Sequence, residues 1–318
     1  MTTKASRPKN LPCREIAVCL ATLAIISLWP LAARAQLNII TTTTTYESLA
    51  TELGGSHVQV RSLMGGPQNI HNIVATPSKM VALRNADLFI HTGLDLELWV
   101  TQLLRGSRNK NVQPRQPGNI NAAQGIRLLN VPQNLSRSQG DMHIFGNPHY
   151  QLDPINLILI GRTIRDTFKR ADPANAADYD QQYNNFETKM KKKIAEWLKT
   201  MRPHKGAKIV VYHDVLPYFA ARFGLDVIGF VEPKPGISPT ARHTAELIEL
   251  MRSADCRVIM VNTWANRATA QSIANQVGAT LVTLPEWVGG VSGAEDCIGH
   301  IEYLVNNLAS ALDGGGGQ

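Results

Sequence analysis

The chain has 318 residues and a formal net charge of +7, from 32 Lys and Arg against 25 Asp and Glu. That excess does not mark a nucleic-acid binder: residues 1–35 hold five of the basic residues and one acid, a net +4, which leaves +3 on the rest. The densest run, Lys189 to Lys193, reads as a solvated helix face.

Lys4, Arg7, Lys9 and Arg14 form a positive head before the apolar run from Ile16 to Leu31, and Ala33-Arg34-Ala35 makes a small-residue cleavage site. Residues 1–35 therefore read as a secretory signal peptide cut after Ala35, too short and wrongly flanked for a stable membrane span. Cys13 and Cys19 precede the cut, so the expected product is exported without a lipid anchor and is not held at the membrane. Roughly 280 residues remain, enough for two domains with their own cores. Cys256 and Cys297 are the only cysteines left, and an even pair in an oxidising compartment predicts a disulfide.

The expected strands of the first half are Leu37–Thr41, Val58–Met64, Asp87–His91 and Ile126–Val131. Helices are expected over Tyr46–Leu53, Pro77–Ala86 and Leu96–Leu104. Residues 105–124 mix Gly, Asn, Gln, Pro and basic side chains without an apolar period and read as a surface loop. Asp153-Pro154 places an N-cap and a first-turn proline at the head of a helix to about Lys169. Asp172-Pro173 opens another, which runs to about Met201 without an internal Gly or Pro. Its Tyr179, Tyr183, Phe186, Met190, Ile194, Trp197 and Met201 recur at three- and four-residue steps, so one stripe packs along its length. At 1.5 Å per residue this is a strut on the order of 40 Å.

The alternation then restarts, with strands at Lys208–Tyr212, Asp226–Val231, Arg257–Asn262 and Ala279–Leu284. Helices are expected over Leu216–Phe223, Pro239–Ala254, Asn266–Val277 and Ala294–Leu312. The reading is an α/β chain with two Rossmann-like parallel-sheet lobes, 36–171 and 204–313, joined by a long rigid helix over 172–203. The Gly-rich tail 314–318 is expected to be disordered.

Ligands of parallel α/β sheets meet the carboxyl ends of the strands. His71, His149 and His213 each follow an expected strand, and Glu286 and Glu232 follow two strands of the second half. Candidates from both halves put a metal site in the cleft between lobes. Three imidazoles and a carboxylate suit four-coordinate Zn²⁺, and exchanging an imidazole for a second carboxylate would favour Mn²⁺. His143 is a candidate to assist metal capture, with a solvent-facing loop histidine as the alternative. His91, His204, His243 and His300 read as structural or exposed.

Three stretches carry a resemblance: Gly65-Gly66-Pro67 with His71 and Thr76-Pro77-Ser78; Gly146-Asn147-Pro148-His149-Tyr150 with Leu152-Asp153-Pro154; and Val211-Tyr212-His213-Asp214 with Pro217-Tyr218-Phe219. Together they resemble the metal-binding solute receptors of zinc and manganese ABC importers, over essentially the whole chain after residue 35. The resemblance implies a periplasmic, monomeric binding protein rather than an enzyme, which passes metal to an ABC permease, with a metallochaperone as a further partner. It implies His71, His149 and His213 as ligands, and His213 in third place favours zinc. The fourth ligand stays open between Glu286 and Glu232. Many members have Asp-Pro-His where this chain has Asn69-Ile70-His71, and residues 105–142 contain none of the histidines of the family's His-rich loop. The competing readings are an exported zinc-dependent hydrolase and a receptor for a siderophore-type metal chelate. The first lacks a His-Glu-x-x-His motif, and the second has no need of three converging histidines.

Overall fold

A computed structural model describes residue 2 and residues 36–314 apart from 133–142 and 235. The signal segment, its cut after Ala35, most of the loop before His143 and residues 315–318 lie outside the described residues.

Two four-stranded sheets, each wholly parallel, organise the chain. The first contains β1 (Leu37–Thr41), β2 (Val58–Ser62), β3 (Leu88–His91) and β4 (Asn119–Asn121) in the order β2-β1-β3-β4. The second contains β5 (Lys208–Val211), β6 (Asp226–Phe230), β7 (Val258–Asn262) and β8 (Thr280–Leu284) in the order β6-β5-β7-β8. The helices are α1 (Thr44–Gly54), α2 (Pro77–Arg84), α3 (Trp99–Ser107), α4 (Pro154–Ala171), α5 (Ala176–Met201), α6 (Pro217–Phe223), α7 (Ala241–Ser253), α8 (Arg267–Val277) and α9 (Cys297–Leu312). This is the two-lobed α/β architecture expected from the alternation of elements. Among the described residues no helix is long and apolar enough to cross a membrane.

Each sheet is covered on both faces, which explains the mostly apolar sequence of its inner strands β1, β3, β5 and β7. Ile40 and Phe89 point toward α2 and α3, whereas Ile39, Leu88 and Ile90 join the main core with α1, α4 and α5. In the second sheet Val210, Ile259 and Val261 face α7 and α8, and Ile209, Val211, Val258 and Met260 face the main core. The α5 stripe, from Tyr179 to Met201, is buried in that same core, so one continuous apolar body runs through both lobes. The strut begins at Ala176 rather than at Asp172, because Pro173–Asn175 form a 3-10 turn in which Asp172 Oδ2 accepts from Asn175 Nδ2 and Tyr179 OH.

Three expectations are corrected. The fourth strand is Asn119–Asn121, inside the stretch read as a loop, and not Ile126–Val131. It is a three-residue edge strand with one buried side chain, Ile120, so it leaves no apolar run to detect. Residues 126–131 spend backbone groups elsewhere: Leu129 N donates to Tyr218 OH and Leu129 O accepts from Asn147 N. Helix α3 begins at Trp99, three residues later than its pattern predicts. Gly93, Leu94 and Asp95 all take positive φ, and the buried Glu97 carboxylate accepts from Thr42 Oγ1, Thr92 N and Gly93 N. This turn occupies the expected first turn of the helix.

The third correction is the disulfide. Cys256 and Cys297 are free and buried on opposite faces of the second sheet. Cys256 packs under α7 and α8, and Cys297 sits at the head of α9 with its Sγ toward Thr45 O. A sheet between two thiols leaves no path for the short bridge a disulfide requires.

Candidate metal centre

His71 occupies the 3-10 turn Ile70–Asn72, which Asn69 caps by accepting His71 N–H at 2.9 Å. The approach to this turn needs glycine at Gly66, where a Cβ would lie 2.4 Å from the Gly289 carbonyl carbon. Ile70 is buried with Met64, Leu96 and Trp287, a small cluster that holds the His71 loop against the loop after β8.

His149 is presented by the Gly146-Asn147-Pro148 turn, with Gly146 at φ 116. Asn147 is the centre of this turn. Its Oδ1 accepts His149 N–H, its Nδ2 donates to Asp214 O at 2.8 Å, and its carbonyl accepts Tyr218 OH at 2.8 Å. Asp153 caps α4 by accepting Ile155 N–H, and it accepts from Arg222 Nε and Nη2 at 2.9 Å each. Charge-assisted, two-pronged pairing of this kind fixes geometry as well as adding stability. The His149 loop belongs to the first half of the chain but is fastened to the second lobe.

His213 follows β5 directly, and its Nδ1 sits 2.7 Å from Glu232 Oε2. Glu286 follows β8 and is 1 % exposed. Its Oε2 accepts Trp264 Nε1–H at 2.9 Å, with Asn262 Nδ2 at 3.4 Å, and its Oε1 lies 3.1 Å from His149 Nδ1. Among the described residues, neither that oxygen nor either His149 nitrogen has a hydrogen bond.

One nitrogen from each of His71, His149 and His213 falls within 4.8 Å of the others. Glu286 borders this trio at His149, whereas Glu232 reaches it only through His213. A carboxylate on the far nitrogen of an imidazole fixes its tautomer and raises its basicity, the usual support for a metal-bound histidine. The 3.1 Å between His149 Nδ1 and Glu286 Oε1 is close to the roughly 3.3 Å separating two donors on a tetrahedral ion with 2.0–2.1 Å bonds. The donor set and its geometry fit a small divalent cation. His143 stacks on His71 with ring centroids 5.6 Å apart and lies 6.1 Å from His149. It borders a cavity of about 430 Å³ shared with His71, Asp95 and Trp99.

Burial alone would raise the Glu286 carboxyl, but the charge interaction with His149 and the hydrogen bond from Trp264 hold it down to about 2. Burial, followed by the neighbouring imidazoles, pushes His143 down to about 3. His300 is wholly buried, with Nε2 2.7 Å from Pro285 O, and burial pushes it down to about 4. Its unfolded imidazole takes a proton near 6.5 while the folded one refuses it to about 4, so stability falls as pH drops through that window. Glu286 adds a second loss between about 4.5 and about 2, where its unfolded carboxyl is protonated and its folded one is not. Denaturant titrations of metal-free protein are expected to show both slopes. His300→Gln, which keeps an N–H for Pro285, is expected to reduce the first, leaving the part His143 contributes between 6.5 and about 3, and to leave the second unchanged.

Trp264 and Asn262 were not candidates from the sequence. Both lie at the carboxyl end of β7, so the strand-end rule that found His213 and Glu286 would have found them had it been applied there.

A family model described as zinc-uptake complex component A, periplasmic (ZnuA), matches residues 39–311. The manganese-binding lipoprotein MntA of Halalkalibacterium halodurans is 25% identical over 289 residues, covering 87% of this chain and 88% of that protein. The zinc-binding protein AdcA of Streptococcus pyogenes is 20% identical over 85% of this chain, and the zinc-binding lipoprotein AdcA of Streptococcus pneumoniae 23% identical over 83%. The chain spans about half the length of these AdcA relatives, 55% and 54% respectively. A crystal structure of ZnuA superposes with a TM-score of 0.73 at 21% identity, over 87% of this chain and 99% of that one. The laminin-binding protein Lmb of Streptococcus agalactiae gives 0.72 at 20% identity, over 87% of this chain and 99% of that one. At these identities the structural likeness is one of fold.

Proposed function

The chain belongs to the zinc-uptake complex component A (ZnuA) family of metal-binding solute receptors, which are not enzymes, and from that premise we propose that it captures Zn²⁺ in the periplasm and delivers it to an ABC permease. In this reading the signal segment is cut after Ala35. The exported protein is a monomer with lobes 36–171 and 204–313 joined by 172–203, and a metallochaperone is a further partner upstream. His71, His149 and His213 hold the ion, with Glu286 as the fourth donor and Glu232 holding His213 in position.

The observation that carries the reading is the convergence of three imidazole nitrogens within 4.8 Å beside a buried carboxylate oxygen that has no hydrogen bond among the described residues. Three nitrogens and one oxygen favour Zn²⁺ over Mn²⁺, which prefers a shell richer in oxygen. The manganese-binding relative makes Mn²⁺ the second choice. Four protein donors leave no open position for the bound water that a zinc hydrolase needs.

Elemental analysis of gently purified protein, paired with calorimetric titration of the stripped form, tests the proposal. One zinc per chain, with manganese bound more weakly, is the expected result. No saturable zinc binding would overturn it.

A further inference from the structure

A carboxylate can give a metal ion one oxygen or two, and the difference sets how many donors a compact site presents. In Glu286 the two oxygens are already unlike. Oε2 accepts the Trp264 indole N–H at 2.9 Å and lies 3.4 Å from Asn262 Nδ2, while Oε1 faces His149 with no hydrogen bond among the described residues. The indole is itself immobilised. Its ring meets His213 edge-on with centroids 5.6 Å apart, and Tyr212 edge-on at 6.1 Å. It cannot swing away from Oε2 without disturbing an imidazole of the trio. The other nearby carboxylate is also committed, because Glu232 Oε2 is taken by His213 Nδ1 at 2.7 Å.

We propose that Trp264 determines metal specificity: by occupying Glu286 Oε2 it confines this carboxylate to one donor oxygen, keeping the site at four donors and against ions that need more. The inference rests on the ligand set proposed above. A four-donor shell of three imidazoles and one oxygen suits Zn²⁺, whereas Mn²⁺ is best served by six donors, mostly oxygen. Freeing Oε2 would let Glu286 chelate through both oxygens and admit the larger shell. Trp264 touches no metal in this scheme and acts as a positioning residue.

The test is Trp264→Phe, which keeps a ring against His213 and removes the N–H. Stripped wild type and variant are titrated with Zn²⁺ and with Mn²⁺, and circular dichroism checks the fold. The preference for zinc over manganese is expected to fall by about tenfold or more, the usual range for removing a hydrogen bond behind a metal ligand. With Co²⁺ as the probe, the intense visible absorption of the tetrahedral ion in wild type is expected to give way to the weak bands of five- or six-coordination. An unchanged zinc-to-manganese ratio together with an unchanged Co²⁺ spectrum would overturn the inference. X-ray absorption at the zinc edge of the wild type decides the same point without a variant: four donors with one oxygen support it, and a two-oxygen carboxylate overturns it. Wild type that binds no zinc would overturn the proposed function as well, an outcome distinct from zinc binding with an unaltered preference.

Discussion

Exchanging His149 for alanine is expected to weaken zinc binding by roughly a hundredfold or more while leaving the protein folded. Structural zinc sites release about 10–16 kcal/mol on binding, so one donor of four represents about 3 kcal/mol, or two decades in Kd. The fold is expected to survive because the turn is held by groups that remain. Asn147 still bonds Asp214 O and still accepts the residue-149 backbone N–H, and Asp153 keeps Arg222. Competition titration against a chelator, alongside a thermal melt, measures both halves of this expectation. His204→Ala is the control, since His204 faces Asp313 and takes no part in the trio. Wild-type zinc affinity in His149→Ala would remove His149 from the ligand set.

Trp287→Ala is expected to lower folding stability by about 3–5 kcal/mol, the range for deleting a fully buried aromatic side chain. Trp287 is 0 % exposed and packs with Met64, Ile70 and Leu96, so its indole fills the seam between the loop after β8 and the His71 loop. The same cavity is expected to loosen zinc binding, because Ile70 and Glu286 are the chain neighbours of His71 and Trp287. Denaturant unfolding gives the first number and calorimetry the second. Leu98→Ala is the comparison: that side chain is 73 % exposed, and its removal should change stability by less than about 0.5 kcal/mol. A loss below about 1 kcal/mol for Trp287→Ala would mean that the seam does not hold the two loops together.

Short apolar or alternating runs located seven of the eight strands: the inner strands β1, β3, β5 and β7 are largely buried and mostly apolar, and the edge strand β2 still alternates, with Gln59 and Arg61 exposed and Val58 and Val60 more buried. β4 escaped because an edge strand needs little burial, and Asn119-Ile120-Asn121 buries one side chain. The start of α3 was misplaced because Glu97, an ordinary helix former, is used instead to collect three donors at a left-handed turn. An even count of cysteines carries no information about which face of a sheet each occupies, and Cys256 and Cys297 lie on opposite faces.

The sequence by itself determined the alternation of elements, the uninterrupted stripe of α5 and the turn and helix cap that flank His149, since periodicity, turn residues and capping residues are local and can be read from neighbours in the chain. Only the tertiary structure decided what the carboxylates do. Glu232 and Glu286 look alike in sequence, each following a strand of the second lobe. Folding sets Glu232 against the far nitrogen of His213 and Glu286 beside His149, with one oxygen held by Trp264. Those distinctions depend on distances between residues 19 to 137 positions apart. Such distances are fixed by how two sheets and a long helix pack, and no stretch of chain contains that information.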